Sequence, residues 1–200
     1  MHMVQHMLIT VGAAPLLLLG APIRPLLRGL PTGFRAAVIR PLARAHAIRV
    51  AVSLLRHPLV AGALYVGGLY AWHVPALYDG ALRHPVVHDL EHACWTGTGL
   101  LVWTLLVDPA GHRRLTIGGR LALAVALFAA GQVLTDVLVF SFTPLYPAYA
   151  GAHGLSAVTD QQVAGVVMMG EQLLTLGTLA FVLLRPRLRG RASAELAASA

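Results

Sequence analysis

Five apolar runs constrain this chain more than any other feature, because each approaches the roughly 20 residues that cross a hydrocarbon core at about 1.5 Å of rise per residue. They extend from about Val4 to Ala21 (segment A), Leu59 to Tyr78 (B), Val86 to Val107 (C), Ile117 to Phe142 (D) and Thr159 to Leu184 (E). Hydrophobic residues make up 57% of the chain and charged residues 12%, against about one quarter charged in a soluble domain. The expected fold is therefore all-α, a polytopic membrane bundle of about five helices over residues 1–190. Residues 191–200 are too poor in apolar content to join it and are expected as a loose tail.

The arginines orient the bundle. The net charge of +7 arises from 15 basic residues, all of them arginine. Arg24, Arg28, Arg35, Arg40, Arg44, Arg49 and Arg56 lie between A and B, Arg113, Arg114 and Arg120 around the C–D connection, and Arg185, Arg187, Arg189 and Arg191 after E. The B–C connection carries only Arg83 and the D–E connection, Thr143 to Val158, carries none. Positive charge marks cytoplasmic connections, so the N-terminus is expected outside and the C-terminus in the cytoplasm. Segment A has no arginine before its apolar stretch and several after it, the reverse of a cleavable signal peptide, and is expected as a retained helix.

This distribution also decides against nucleic acid as a partner. The arginines are confined to short connections, with no basic stripe interleaved with aromatics, and topology already accounts for them. The lipid bilayer is the expected partner. Cys94, the single cysteine, excludes an internal disulfide and any CxxC metal motif. The stretch from Pro31 to Arg56, with arginines spaced among Ala, Val, Leu and Ile, reads either as an interfacial amphipathic helix or as a topogenic loop on anionic lipid.

With the orientation set, polar residues inside the apolar runs can be ranked by depth from the outer end. His2 and His6 share a face of segment A at i,i+4, with Met3 and Met7 beside them. His73 lies about 8 Å deep on segment B, and His88 and His92, again i,i+4, about 5 and 10 Å deep on segment C, which Pro85 starts. Asp136 on segment D is about 9 Å in, and Met168 on segment E about 12 Å in from Asp160. Each segment thus brings at least one potential ligand to one outer layer. Ionisable groups are costly in hydrocarbon, so these side chains are expected to face the bundle interior.

A lone intramembrane histidine commonly bridges helices through a hydrogen bond. Two i,i+4 pairs are a different matter, since imidazoles at that spacing can bite one ion. Met3, Met7, Met168 and Met169 at similar depth favour soft Cu(I) over zinc or iron, although methionine is also a common core filler. The string His88-Asp89-Leu90-Glu91-His92 matches the H-x-x-E-H pattern of one zinc-protease class. That chemistry needs a third ligand and a positioned water in a soluble cleft, so the match carries little.

Glu91, Asp136, Asp160 and Glu171 are the carboxylates that could stand behind such ligands. Glu91 reads either as the group that orients a histidine or as a negative charge at a helix N-terminus. Glu171, about 16 Å deep, reads either as a proton- or ion-passing group or as the partner of Gln132. Pro75 in Trp72-His73-Val74-Pro75 is expected to kink segment B and widen the outer end. Tyr78, Trp95, Tyr146 and Tyr149 read as interfacial aromatics.

Taken together, four stretches resemble the CtaG family of membrane proteins associated with assembly of caa3-type cytochrome c oxidase. They are His2-Met3-Val4-Gln5-His6 with Pro15 and Gly20 downstream; Trp72-His73-Val74-Pro75-Ala76-Leu77-Tyr78; His88-Asp89-Leu90-Glu91-His92; and Leu145-Tyr146-Pro147 followed by Asp160-Gln161-Gln162 with Gly165. The resemblance extends from residue 1 to about residue 184. It implies an assembly factor in a bacterial plasma membrane that helps supply copper to cytochrome c oxidase subunits, with His2, His6, His73, His88 and His92 at the matching positions and no catalytic turnover. The family pattern has further membrane helices and one of them precedes the His-Met-x-x-His stretch, which here opens the chain and leaves His2 and Met3 prone to fray. Two other functions fit the same histidines: a membrane b-type cytochrome, and a copper transporter in which Glu171 and Gln132 continue the path.

Overall fold

The computed structural model describes residues 2–109, 111, 114–146 and 154–198, without the side chains of residues 2–4, 24 and 186–198. Arg113, Pro147 and Tyr149, and the side chains of His2 and Met3, therefore lie outside the description. Among the described residues every regular element is a helix.

The N-terminal segment is one rod in three parts: α1 (His2–Met7), a π-helical stretch (Leu8–Ala13) and α2 (Ala14–Leu19). Short helices follow in the basic stretch, α3 (Ile23–Gly29), α4 (Thr32–Phe34), α5 (Arg40–Arg44) and α6 (His46–Leu55). Prolines then start three helices in succession. Pro58, Pro75 and Pro85 stand in the first turn of α7 (Pro58–Trp72), α8 (Pro75–Arg83) and α9 (Pro85–Leu106). The residues before them, His57, Val74 and His84, are extended, with ψ of 131°, 127° and 111°. A proline ring forces that conformation on its predecessor, and its missing N–H is one that a helix start leaves unbonded anyway.

Segment B is therefore not one kinked helix but two, parted at His73 and Val74. The last turn of α7 tightens there, with the His73 and Val74 amides bonding Tyr70 O and Ala71 O at 3.2 and 3.1 Å. Side-chain caps start the last two helices. Thr116 Oγ1 accepts from Gly119 N at 3.1 Å before α10 (Ile117–Phe140), and Ser156 Oγ accepts from Thr159 N at 3.1 Å before α11 (Ala157–Ala198). The backbone of the C-terminal tail is helical as far as Ala198.

Among the described residues two helices, Ile117–Phe140 and Ala157–Arg185, are long and apolar enough to cross a membrane. A third candidate is the pair His46–Leu55 and Pro58–Trp72, bent by 67° at its break. Lipid is also the natural covering for the large apolar side chains on the outside, among them Leu174 at 74% exposed and Phe140 at 69%.

Helix α9 is the hub, packing against the π-helical stretch, α2, α7, α8 and α10, while α10 runs along α11. Small residues permit the closest approaches. A Cβ on Gly165 would lie 2.8 Å from Val139 Cγ2 and 3.3 Å from Thr135 O, and one on Gly99 would lie 3.2 Å from Thr10 O. Glycine at these crossings lets backbones meet, the device by which membrane helices gain dispersion contact. At one end of the bundle Arg120 Nη2 bonds Asp108 Oδ2 at 2.9 Å, tying the end of α9 to the start of α10. At the other end the C-terminus of α7, the N-terminus of α9 and residues 141–146 converge, and the histidines lie there.

Candidate metal centre

Helix periodicity alone puts His88 and His92 on one face of α9. Their ring centroids are 4.1 Å apart. The third member arrives from the other end of the sequence: His6 on α1 stands with its ring centroid 5.0 Å from that of His92 and 6.2 Å from that of His88. One ligand atom from each of the three lies within 4.8 Å of the others. His6 is buried, 2% exposed, and His88 and His92 are half-buried.

His6 is held there by the π-helical stretch. Thr10 Oγ1 donates to His6 O at 2.9 Å, and Trp103 Nε1 on α9 donates to Thr10 O at 3.0 Å. A π turn disturbs the regular i→i−4 ladder and is tolerated where neighbouring side chains satisfy the carbonyls it exposes, often beside functional groups. Gly99 completes the anchorage, since any side chain would press on Thr10.

Behind the cluster stands Glu91, 1% exposed, whose Oε1 lies 3.4 Å from His6 Nδ1. A carboxylate in that position stabilises the tautomer with the proton on Nδ1, which turns the Nε2 lone pair toward a ligand and raises its basicity. His92 Nε2 is buried without a hydrogen-bond partner among the described residues. An ion held about 2 Å from three imidazole nitrogens keeps them about 3.4 Å apart, so small side-chain rotations close this cluster on a metal. Three neutral imidazoles fit copper or zinc, and the fourth side of a three-ligand site stays open for exchange.

His73 stands apart from this group. It sits at the α7–α8 break, 7% exposed, and its Nδ1 lies 2.7 Å from Leu69 O. Trp95 flanks both sites, its ring centroid 6.3 Å from that of His73 and 6.0 Å from that of His6. The backbone of His73 is pinned by Tyr146, whose hydroxyl donates to His73 O at 2.9 Å and whose ring packs on Tyr78 at 4.3 Å. Met168 is fully buried and, with Met7 and His73, lines a small cavity below the cluster.

The remaining expected residues lie elsewhere. Asp136 is on the exposed face of α10, where its Oδ1 accepts from Gln132 Nε2 at 2.7 Å. Asp160 borders a separate cavity with Tyr78 and Tyr146. Of the two readings of Glu171, the pairing with Gln132 is not made. Gln132 turns instead to Asp136 and to Met169 Sδ, at 3.9 Å, while Glu171 Oε1 accepts from Thr175 Oγ1 at 3.0 Å. The reason is local, since each finds its nearest oxygen partner four residues along its own helix.

Two supporting residues have contacts that the sequence does not assign, although Gln161 belongs to one of the family stretches. Gln161 clamps the connection beside Tyr146, its Oε1 accepting from Leu145 N at 2.8 Å and its Nε2 donating to Leu138 O at 3.2 Å. Thr10, four residues after His6, has a spacing that could have signalled its bond to His6 O, but its contact with Trp103 depends on how two helices are rotated.

The sequence profile of the cytochrome c oxidase caa3 assembly factor family matches residues 1–189, in agreement with the resemblance carried by the histidine motifs. Uncharacterised proteins of Mycobacterium bovis and Mycobacterium tuberculosis are each 32% identical over 135 residues, which cover 63% of this chain and 20% of theirs. The chain thus spans about a fifth of the length of the curated relatives it matches. No solved structure matches the chain.

Proposed function

The chain belongs to the cytochrome c oxidase caa3 assembly factor family, and from that premise we propose that its histidine cluster carries copper as cargo for the oxidase. The observation that bears this reading is the convergence of His6, His88 and His92, with ligand atoms mutually within 4.8 Å, in a chain whose family assembles a copper enzyme. Nothing in the cluster calls for turnover. Three imidazoles bind the ion, Glu91 orients His6, and the open side allows the ion to leave.

Cu(I) is the form the surroundings favour, because thioethers stand close by in Met7 and Met168 and soft ligands select it. In the proposed topology segments A to E cross a bacterial plasma membrane with the N-terminus outside. The histidines then lie near the outer surface, at the arginine-poor end, and the basic stretch before α7 lies on the cytoplasmic side. An oxidase subunit that presents its own copper ligands at that surface is the partner.

The haem alternative has little support. The cavity beside the histidines amounts to about 10 Å³, whereas sites for organic ligands run to several hundred. The test is elemental analysis and an optical spectrum on the purified protein. Copper that falls by one equivalent per chain in His88→Ala/His92→Ala, with no Soret band, supports the reading; copper content independent of these histidines overturns it.

A further inference from the structure

Below the three histidines lies the cavity of about 10 Å³, large enough for one water-sized occupant. Its wall contains His6, Met7, His73, Trp95 and Met168. The chemistry of His73 can be deduced. A carbonyl oxygen only accepts, so the 2.7 Å contact between His73 Nδ1 and Leu69 O requires the proton on Nδ1. Nε2 is therefore a bare lone pair, and it is buried without a hydrogen-bond partner among the described residues. Its position is fixed at both ends, through the ring at Leu69 and through the main chain at Tyr146.

A buried imidazole lone pair without a donor is costly, and a structure that fixes it in place beside a cavity invites an occupant. The thioethers of Met7 and Met168 border the same space, at 9% and 0% exposed. None of the wall residues is a carboxylate or thiolate. One imidazole with two neutral sulfurs is a poor site for zinc or Cu(II) and a good one for a monovalent soft cation.

We propose that this cavity is a second, separate seat for a monovalent soft metal ion, Cu(I) in the cell, formed by His73 Nε2 and the thioethers of Met7 and Met168. His6 borders both the cavity and the three-histidine cluster, which makes the seat an inner station next to the outer one. The proposal rests on the copper reading of the outer cluster only for the source of its ion; the seat itself is argued from His73 and the methionines.

Silver(I) and zinc(II) added separately to the full chain in detergent or nanodiscs test it, with bound metal counted after dialysis and ligation read by X-ray absorption. Two silver ions per chain are expected, one of them with sulfur neighbours, against one zinc. Met7→Leu/Met168→Leu, which keeps the core volume, is expected to retain one silver and lose the sulfur signal, and His73→Asn to lose the same ion. His88→Ala/His92→Ala is expected to keep the sulfur-ligated silver and lose the other. Wild-type protein that holds no silver with sulfur neighbours, or whose count and sulfur signal survive Met7→Leu/Met168→Leu, overturns the inner seat and leaves the cavity to a water. Silver and zinc counts unaffected by His88→Ala/His92→Ala overturn the outer site instead.

Discussion

His6 Nδ1 stands 3.4 Å from Glu91 Oε1, the first residue brought to the second across 85 positions of sequence, and both are almost wholly buried. A carboxylate that faces the back of a ligand imidazole both aims the ring and stores negative charge for a cation to offset. Glu91→Gln keeps the size and an acceptor oxygen but removes the charge. It is expected to weaken copper binding about 10- to 100-fold, the usual effect of losing such a partner, with little change in fold. Competition against a Cu(I) chelator of known affinity measures it, and unchanged affinity would show that Glu91 is only a helix-terminal charge.

The anchorage of the N-terminal rod gives a second prediction. Gly99→Ala puts a methyl 3.2 Å from Thr10 O and 3.3 Å from Thr10 Cγ2. Backbone must give way there, at a cost of about 1–3 kcal/mol, typical of overpacking. Thermal unfolding in detergent should show a lowered midpoint, and copper affinity should fall with it because Thr10 carries His6. A variant with wild-type stability and affinity would mean that the rod is not held through this crossing.

Tyr146 offers a pH test. Burial, assisted by the nearby negative charge of Asp79, pushes its hydroxyl up to about 12. An unfolded tyrosine ionises near 10, so the folded state keeps its proton longer. Its contribution to stability is full below about pH 10 and is lost as the pH rises toward 12. Tyr146→Phe removes the donor to His73 O and should destabilise the protein by about 1–3 kcal/mol, the range for an unsatisfied buried acceptor. The variant should also lose the part of the alkaline decline that comes from this residue. Chemical unfolding between pH 8 and 12 compares the two proteins; parallel profiles would remove Tyr146 from the account.

What could be read from the sequence follows from how local each feature is. Helix spacing alone pairs His88 with His92, and the prolines at 58, 75 and 85 start helices by steric exclusion acting on the residue just before them. The family motifs point to the same histidines. Depth, however, fixes only one coordinate. Asp136 lies at a depth comparable with the histidines but on the exposed side of α10, and Glu171 and Gln132 find partners on their own helices. The separation of His73 from the cluster by Trp95 depends on the rotation of α7 and α9 about their axes, which a single sequence does not specify. The π-helical stretch of the first rod is equally hidden, because nothing in the residues Leu8–Ala13 distinguishes it from an ordinary helical turn.

If His6, His88 and His92 hold copper, the copper content of the purified protein depends on them. Loaded wild-type protein and His88→Ala/His92→Ala are compared by elemental analysis under reducing conditions, with circular dichroism to establish that both are folded. The variant is expected to carry one copper equivalent per chain fewer than the wild type. Equal copper in the two folded proteins would contradict it.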